Sequence, residues 1–289
     1  MCGIVGYIGK KEAFPFLMKG LHRLEYRGYD SAGVALLNGN IRVYKKAGKV
    51  STLAEFCRDK NTSGTIGIGH TRWATHGEPN DVNAHPHYSE SENLAIIHNG
   101  IIENYLHLKK KLQDKGFQFK SETDTEVVAH LIASHWQGGK NKNTQEEKKK
   151  FINAVQKALK EIRGTFALGV LCSSIPDIVI GARRDCPLII GCGKGENFLA
   201  SDVPAVLQHT RDVIFLEDGD LAEVRADAIT VENDGKAEFT SIFCGIVHHF
   251  LRRNTSFASA LPAWPGVPAA RRLSKPACRR AGGERPRRA

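Results

Sequence analysis

The stretch Cys2-Gly3-Ile4-Val5-Gly6-Tyr7-Ile8-Gly9 opens the chain with a short β-rich run, and residues 13–23 follow it with apolar side chains at helical spacing, Phe14, Leu17, Leu21 and Leu24. A strand and then a helix are expected. Working outward, Arg27-Gly28-Tyr29-Asp30-Ser31-Ala32-Gly33 has turn chemistry, and residues 34–37 and 41–44 around Asn38-Gly39-Asn40 read as a β-hairpin. A helix is expected over 50–60. Strands over 65–74 and 94–101 enclose a polar loop, 75–91, that carries no regular period and is long enough to point to function. Helices are expected over 104–115, ending at Gly116, and over 123–136, where Ser121 and Asp124 form a Ser-x-x-Asp pattern resembling a capping box. After the polar stretch 138–150 a further helix is expected over 150–162, its lysine run a solvated face. Short strands then follow over 166–172, 178–182, 188–191, 197–200, 213–216, 220–225 and 229–232, with one helix over 203–209. Many short strands with helices in pairs imply stacked layers, an α+β fold.

Composition bounds the reading. The chain has 289 residues, 41% hydrophobic and 25% charged, with 28 Gly and 11 Pro. This is ordinary globular usage, which excludes a collagen, a coiled coil and a wholly disordered chain. No run of about 18 apolar residues is present, so a membrane span is not expected, and the first residues lack a secretory pattern. The expected location is the cytoplasm. The net charge of +10 is unevenly placed. Residues 244–289 hold nine Arg, one Lys and one acidic residue, which leaves 31 basic and 30 acidic residues, net +1, before Cys244. That tail also carries eight Ala and five Pro, so two regions are expected: a body, 2–243, and an Arg/Pro/Ala-rich tail, 244–289, without a packed element. The tail has no helical period and no interleaved Tyr, so a nucleic-acid partner is not expected.

Seven widely spread cysteines without a C-x2-C pair suggest neither a disulfide framework nor a zinc site, and Cys57 and Cys172 read as buried thiols. Six of the twelve histidines lie between His70 and His107, yet His85-Pro86-His87 has no carboxylate or Cys at a persuasive spacing, so no metal and no cofactor are expected.

Cys2 stands apart. Removal of Met1 would leave a Cys with a free α-amine, a nucleophile and a base in one residue, with ordinary pKa values of about 8.5 and 7.7–8.0. An acyl-transfer site also needs donors aimed at a developing oxyanion. The Asn99 carboxamide and the Gly100 N–H are such a pair, although Asn-Gly is equally a hairpin-turn signal. An amino-acid substrate would need a cation for its α-carboxylate and an anion for its α-ammonium, roles open to Arg72 and Asp124.

Together, Met1-Cys2-Gly3-Ile4-Val5-Gly6, the run Arg23-Leu24-Glu25-Tyr26-Arg27-Gly28-Tyr29-Asp30-Ser31-Ala32-Gly33, residues 70–79, Asn83-Ala84-His85-Pro86-His87 and residues 98–104 resemble the glutaminase domain of the glutamine–fructose-6-phosphate aminotransferases, over residues 1 to about 243. The resemblance implies a four-layer αββα sandwich of the amino-terminal-nucleophile hydrolase class, with Cys2 attacking the side-chain amide of glutamine. It further implies an oxyanion hole from Asn99 and Gly100, a glutamine α-carboxylate on Arg72 and an α-ammonium on Asp124. Thr75, His76 and Gly77 would complete the pocket, Trp73 would stand at the gate of the ammonia path, and Arg27 would lie beside the nucleophile. No cofactor is implied. Fructose 6-phosphate would be met only through isomerase domains for which residues 244–289 leave no room, so a truncated, fused or frameshifted product is the expectation for the tail. A homo-oligomer is compatible with the family. Two rival readings are an inactive glutamine-binding remnant and the glutaminase subunit of a different amidotransferase.

Overall fold

The computed structural model describes residues 2–74, 77–89, 91–136 and 144–233, together with the backbone of 236–244 and 247–248. The expected tail lies outside the described residues from 249 onward. Within the described residues the chain runs β1 (Gly3–Ile8), α1 (Ala13–Leu24), β2 (Ser31–Asn38), β3 (Asn40–Ala47), α2 (Val50–Phe56), β4 (Ile66–Arg72), β5 (His87–Tyr88), β6 (Leu94–Ile102), α3 (Tyr105–Gln113), α4 (Asp124–His135) and α5 (Gln145–Glu161). It continues through β7 (Gly164–Cys172), β8 (Val179–Arg184), β9 (Ile189–Cys192), β10 (Asn197–Ala200), β11 (Val213–Phe215), β12 (Asp220–Val224), β13 (Ala228–Asn233), β14 (Lys236–Cys244) and β15 (Val247–His248).

The strands form two antiparallel sheets. One has the order β11-β9-β10-β1-β4-β2-β3 and the other β15-β14-β13-β12-β8-β7-β6-β5. Alternation along each strand sorts the side chains into three apolar layers. On β1, Val5 and Tyr7 face α1 and α2 in a layer with Leu17, Leu21 and Leu53, whereas Ile4 and Ile8 face the other sheet. On β6, Ala95 and Ile97 meet that same inter-sheet layer, and Leu94, Ile96 and Ile102 turn outward to α3, α4 and α5 with Val128, Phe151 and Val155. Helix, sheet, sheet, helix is therefore the packing order, because each sheet has two apolar faces to cover and the helices only one stripe each. α1 lies close on β4 where the sheet lacks side chains. A Cβ at Gly67 would come within 2.8 Å of Leu17 Cδ1.

Three expectations are corrected. Residues 203–209 do not form an α-helix. Only a single 3-10 turn, Val203–Ala205, opens on the Asp202 side chain with Pro204 in its first turn, and the segment is then tied down where Thr210 Oγ1 donates to the Cys192 carbonyl at 2.5 Å. Ser121 and Asp124 are not a capping box. Thr123 occupies the cap position of α4 without a side-chain bond to the helix's own N–H groups, and Glu126 reaches back to accept from the Ser121 N–H at 2.6 Å and the Lys120 N–H at 2.8 Å. The lysine-rich helix starts five residues earlier than expected, because Thr144 accepts from the Glu147 N–H and caps α5 there. At the carboxyl side the β-ladder continues past residue 243, with Phe243 and Cys244 paired to His248 and Val247.

Candidate active site

The interior faces of the two sheets run out at one end of the sandwich, and the last residues on those faces are polar. On β4 the inward series Ile66, Ile68 continues to His70 and Arg72. Ile4 of β1 is preceded on its face by Cys2, and on β6 Ala95 and Ile97 are followed by Asn99. Register joins them, since Ile4 stands opposite His70 and Gly3 opposite Thr71. Period-two alternation thus carries Cys2, His70, Arg72 and Asn99 to one place.

Cys2, Arg72 and Asn99 line a cavity of about 290 Å³ with Arg27, Trp73, Gly100, Asp124, Thr125 and Cys186, and His70 lies behind Asn99. The half-buried thiol of Cys2 accepts from the Trp73 backbone N–H at 3.2 Å. The Cys2 carbonyl is held twice, by Asn99 Nδ2 at 3.0 Å and by Arg27 Nε at 3.1 Å. Arg27 is fixed in turn by Asp202 at 2.8 Å, and Asp202 also accepts from the Tyr26 hydroxyl at 2.6 Å. Burial pushes the Cys2 thiol above its ordinary pKa, while the Trp73 N–H and the nearby Arg72 and Arg27 guanidinium groups favour the thiolate. A base is therefore needed to load the nucleophile near neutrality.

Asn99-Gly100 is not a turn. Both residues lie within β6 paired to β7, Asn99 opposite Ala167 and Gly100 opposite Phe166. Gly100 has φ of +125°, and a Cβ there would stand 2.1 Å from the Thr165 carbonyl oxygen, so this strand position requires glycine. Gly100 lines the cavity, where a backbone donor is what a developing oxyanion needs.

Arg72, at the end of β4, and Asp124, at the start of α4, face the same cavity. The Arg72 guanidinium donates to the Gly77 and Glu78 carbonyls, each at 3.3 Å, which places Gly77 in the rim. Burial lowers the Arg72 pKa against the raising effect of the Cys2, Asp124 and Asp30 charges. Asp124, the first residue of α4, accepts from the Ile102 N–H at 2.8 Å and so ties the helix start to the end of β6. Trp73 is 47% exposed and meets Tyr29 edge-on with ring centroids 5.6 Å apart, an apolar rim over the mouth. Thr75 and His76 lie outside the described residues. All the other expected site residues border the cavity or, like Gly77, its rim.

Several residues around the site were given no role in it from sequence. His70, His85 and His87 are buried side by side: His70 stacks on His85 at 4.2 Å, and His85 meets His87 edge-on at 4.8 Å. His98 Nδ1 and Thr125 Oγ1 are 2.9 Å apart, and His87 Nε2 and Thr123 Oγ1 3.1 Å. Burial holds the His70 pKa down to about 3 and those of His85 and His87 well below the ordinary value, so these rings are neutral. The signal available in sequence was spacing: His70 and Arg72 are two apart on one strand and share a face. Among the described residues no cluster of His, Cys, Asp or Glu has the makings of a metal site.

Residues 70–208 match the family described as "Glutamine amidotransferase domain". Proteins named glutamine–fructose-6-phosphate aminotransferase (isomerizing) are similar over most of this chain: that of Caldanaerobacter subterraneus is 54% identical across 79% of this chain and 36% of its own length, and that of Bacteroides thetaiotaomicron 54% identical across 83% and 38%. The chain spans little more than a third of the length of these curated relatives. Among solved structures, the glutamine phosphoribosylpyrophosphate amidotransferase of B. subtilis, complexed with ADP and GMP, superposes with a TM-score of 0.62 at 26% identity, over 85% of this chain and 50% of that one.

Proposed function

We propose that this chain, which carries a glutamine amidotransferase domain in the four-layer fold of the amino-terminal nucleophiles, hydrolyses glutamine to glutamate and ammonia at Cys2. The observation that carries this reading is the convergence of the Cys2 thiol, the Asn99 amide, the glycine-only strand position at Gly100 and the charged pair Arg72 and Asp124 around one cavity.

In this reading the α-amine left when Met1 is removed takes the thiol proton, and the thiolate attacks the glutamine γ-carbonyl. Asn99 Nδ2 and the Gly100 N–H bind the oxyanion of the tetrahedral intermediate. Collapse breaks the C–N bond, the amine proton passes to the leaving nitrogen, and ammonia departs from a γ-glutamyl thioester. Water, deprotonated by the same amine, then cleaves the thioester to glutamate and free thiol. Arg72 holds the α-carboxylate and Asp124 the α-ammonium, so only an α-amino acid with a side-chain amide two methylenes away reaches the sulfur. Gly77 with Thr75 and His76 would close the pocket, and Trp73 would cover its mouth.

The acceptor we assign is fructose 6-phosphate, on the names of the matched relatives. Its site would belong to the part of those proteins that this chain does not match. We further assign the catalytic domain to residues 2–243, extended by the β14–β15 pairing to His248, and a tail to the arginine-rich remainder up to 289, on the shift from lysine-rich to arginine-rich usage.

The test is intact mass of the purified protein before and after 6-diazo-5-oxonorleucine, a glutamine analogue that alkylates such nucleophiles, together with release of glutamate from glutamine. Loss of Met1, one adduct that Cys2→Ala abolishes, and glutamate release are expected. Retained Met1 with no adduct and no glutamate would identify a glutamine-binding remnant instead.

A further inference from the structure

We propose that His70 is the positioning residue of the oxyanion hole, its ring Nε2–H locking the Asn99 carboxamide in the orientation that points the NH2 group at the nucleophile; this rests on the glutaminase reading. An asparagine side chain has two nearly isosteric ends, and its two orientations are decided only by what each end meets. Asn99 Oδ1 lies 3.0 Å from His70 Nε2, and Asn99 Nδ2 lies 3.0 Å from the Cys2 carbonyl. His70 Nε2 is also 2.9 Å from the His98 carbonyl oxygen. Both neighbours of Nε2 are acceptors, so that nitrogen carries the hydrogen and shares it between them.

The other ring nitrogen agrees. Nδ1 is buried and has no hydrogen-bond partner among the described residues, which suits a bare lone pair far better than an orphaned N–H. The ring is itself immobile, fully buried on β4 and stacked on His85 at 4.2 Å. A flipped Asn99 would set its NH2 against the Nε2–H and its oxygen against the Cys2 carbonyl, repulsive at both ends. The histidine therefore stabilises one orientation, the one with a donor on the side where charge develops. His70 touches neither substrate nor sulfur in this arrangement and acts through Asn99.

The experiment is a mutant cycle read as kcat and KM for glutamine hydrolysis, with Tm followed alongside. His70→Leu is expected to lower kcat by roughly ten- to a hundred-fold, less than or at the low end of the about 10²–10³ seen for outright loss of an oxyanion donor, and to leave KM nearly unchanged. His70→Gln, whose terminal amide N–H reaches about where Nε2–H does, is expected to recover most of that loss, and His70→Asn, one methylene shorter, is not. In an Asn99→Ala background His70→Leu is expected to cost nothing further. Full additivity of the two substitutions, or wild-type kcat in His70→Leu, would overturn the proposal. Nitrogen-15 NMR of the His70 ring gives a readout that mere packing does not set: an Nε2–H tautomer is required, and an Nδ1–H tautomer would refute it. Absence of glutaminase activity in the wild-type chain would defeat the function reading itself, whereas activity in the wild type with an inert His70→Leu defeats this inference alone.

Discussion

Asn99 and Gly100 differ in how their substitution should fail. Asn99→Ala removes a donor from the cavity and leaves the strand intact, so kcat for glutamine hydrolysis is expected to fall by about 10²–10³ with little change in Tm. Gly100→Ala is a folding problem. Its φ of +125° is strained for an L residue by about 1–3 kcal/mol, and the added Cβ would stand 2.1 Å from the Thr165 carbonyl. A lowered Tm is expected even where the variant is never assayed for activity, and an unchanged Tm would contradict the strand geometry. These two residues also mark the limit of legibility at this scale. The dipeptide reads equally as hairpin turn and as oxyanion pair. What separates the readings is the nine-residue pairing of β6 with β7, a contact some seventy residues distant in sequence.

Among elements, β4, β6 and α4 meet at a seam of buried polar groups, and that seam makes the fold acid-labile. Burial holds His70 near pKa 3 against 6.5 in the unfolded chain, and lowers His85 and His87 as well. The folded state thus binds fewer protons than the unfolded state below pH 6.5. Stability is complete above that value and falls as pH drops through the window toward 3, by about 1.4 kcal/mol per pH unit for each such histidine. Glu126 adds a second, lower window. Burial alone would raise its pKa, but the His130 ring 3.6 Å away and the bonds it accepts from the Lys120 and Ser121 groups outweigh this and hold it at about 2. Its contribution holds above pH 4.5 and is lost between there and 2. Urea midpoints measured from pH 7.5 to 5 are expected to fall steeply below 6.5, and a flat profile would refute neutral burial of these rings. Glu126→Gln is expected to cost about 1–3 kcal/mol at pH 7, read as the same midpoint, because it leaves the Lys120 and Ser121 N–H groups with weaker partners. Element type was largely legible from periodicity, as α1, α4, the β2–β3 hairpin and β10 illustrate. Ends were less so. The start of α5 depended on the Thr144 cap, and residues 203–209 failed as a helix because their polar ends are tied down by Asp202 and Thr210.

At the scale of the molecule, stability rests on the layer between the sheets. Leu199 of β10 is buried there, and glycines of the facing sheet and of the neighbouring strand approach it closely: a Cβ at Gly181 of β8 would lie 2.8 Å from its Cδ1 and one at Gly6 of β1 3.0 Å from its Cβ. Leu199→Ala opens a void that those glycines cannot fill, so a loss of about 2–5 kcal/mol is expected from the denaturation midpoint. A loss below about 1 kcal/mol would mean that the sheets close over the gap. The same layer positions the site, since Cys2, His70, Arg72 and Asn99 are the polar continuation of its apolar rows.

By itself the sequence determined the layered α+β class and singled out Cys2 as the candidate nucleophile, with Arg72, Asn99, Gly100 and Asp124 as its candidate partners. These rest on local alternation, on residue chemistry and on resemblance, each of which is written along the chain. Only the tertiary structure decided that Asn99-Gly100 is strand rather than turn, that Glu126 and not Asp124 closes the start of α4, and that three neutral histidines lie side by side behind Asn99. The physical reason is that burial, register and hydrogen-bond direction are set by which strands become neighbours. His70 gains its role from His98 and Asn99, twenty-eight and twenty-nine residues away, and no period within β4 alone distinguishes it from an ordinary core residue.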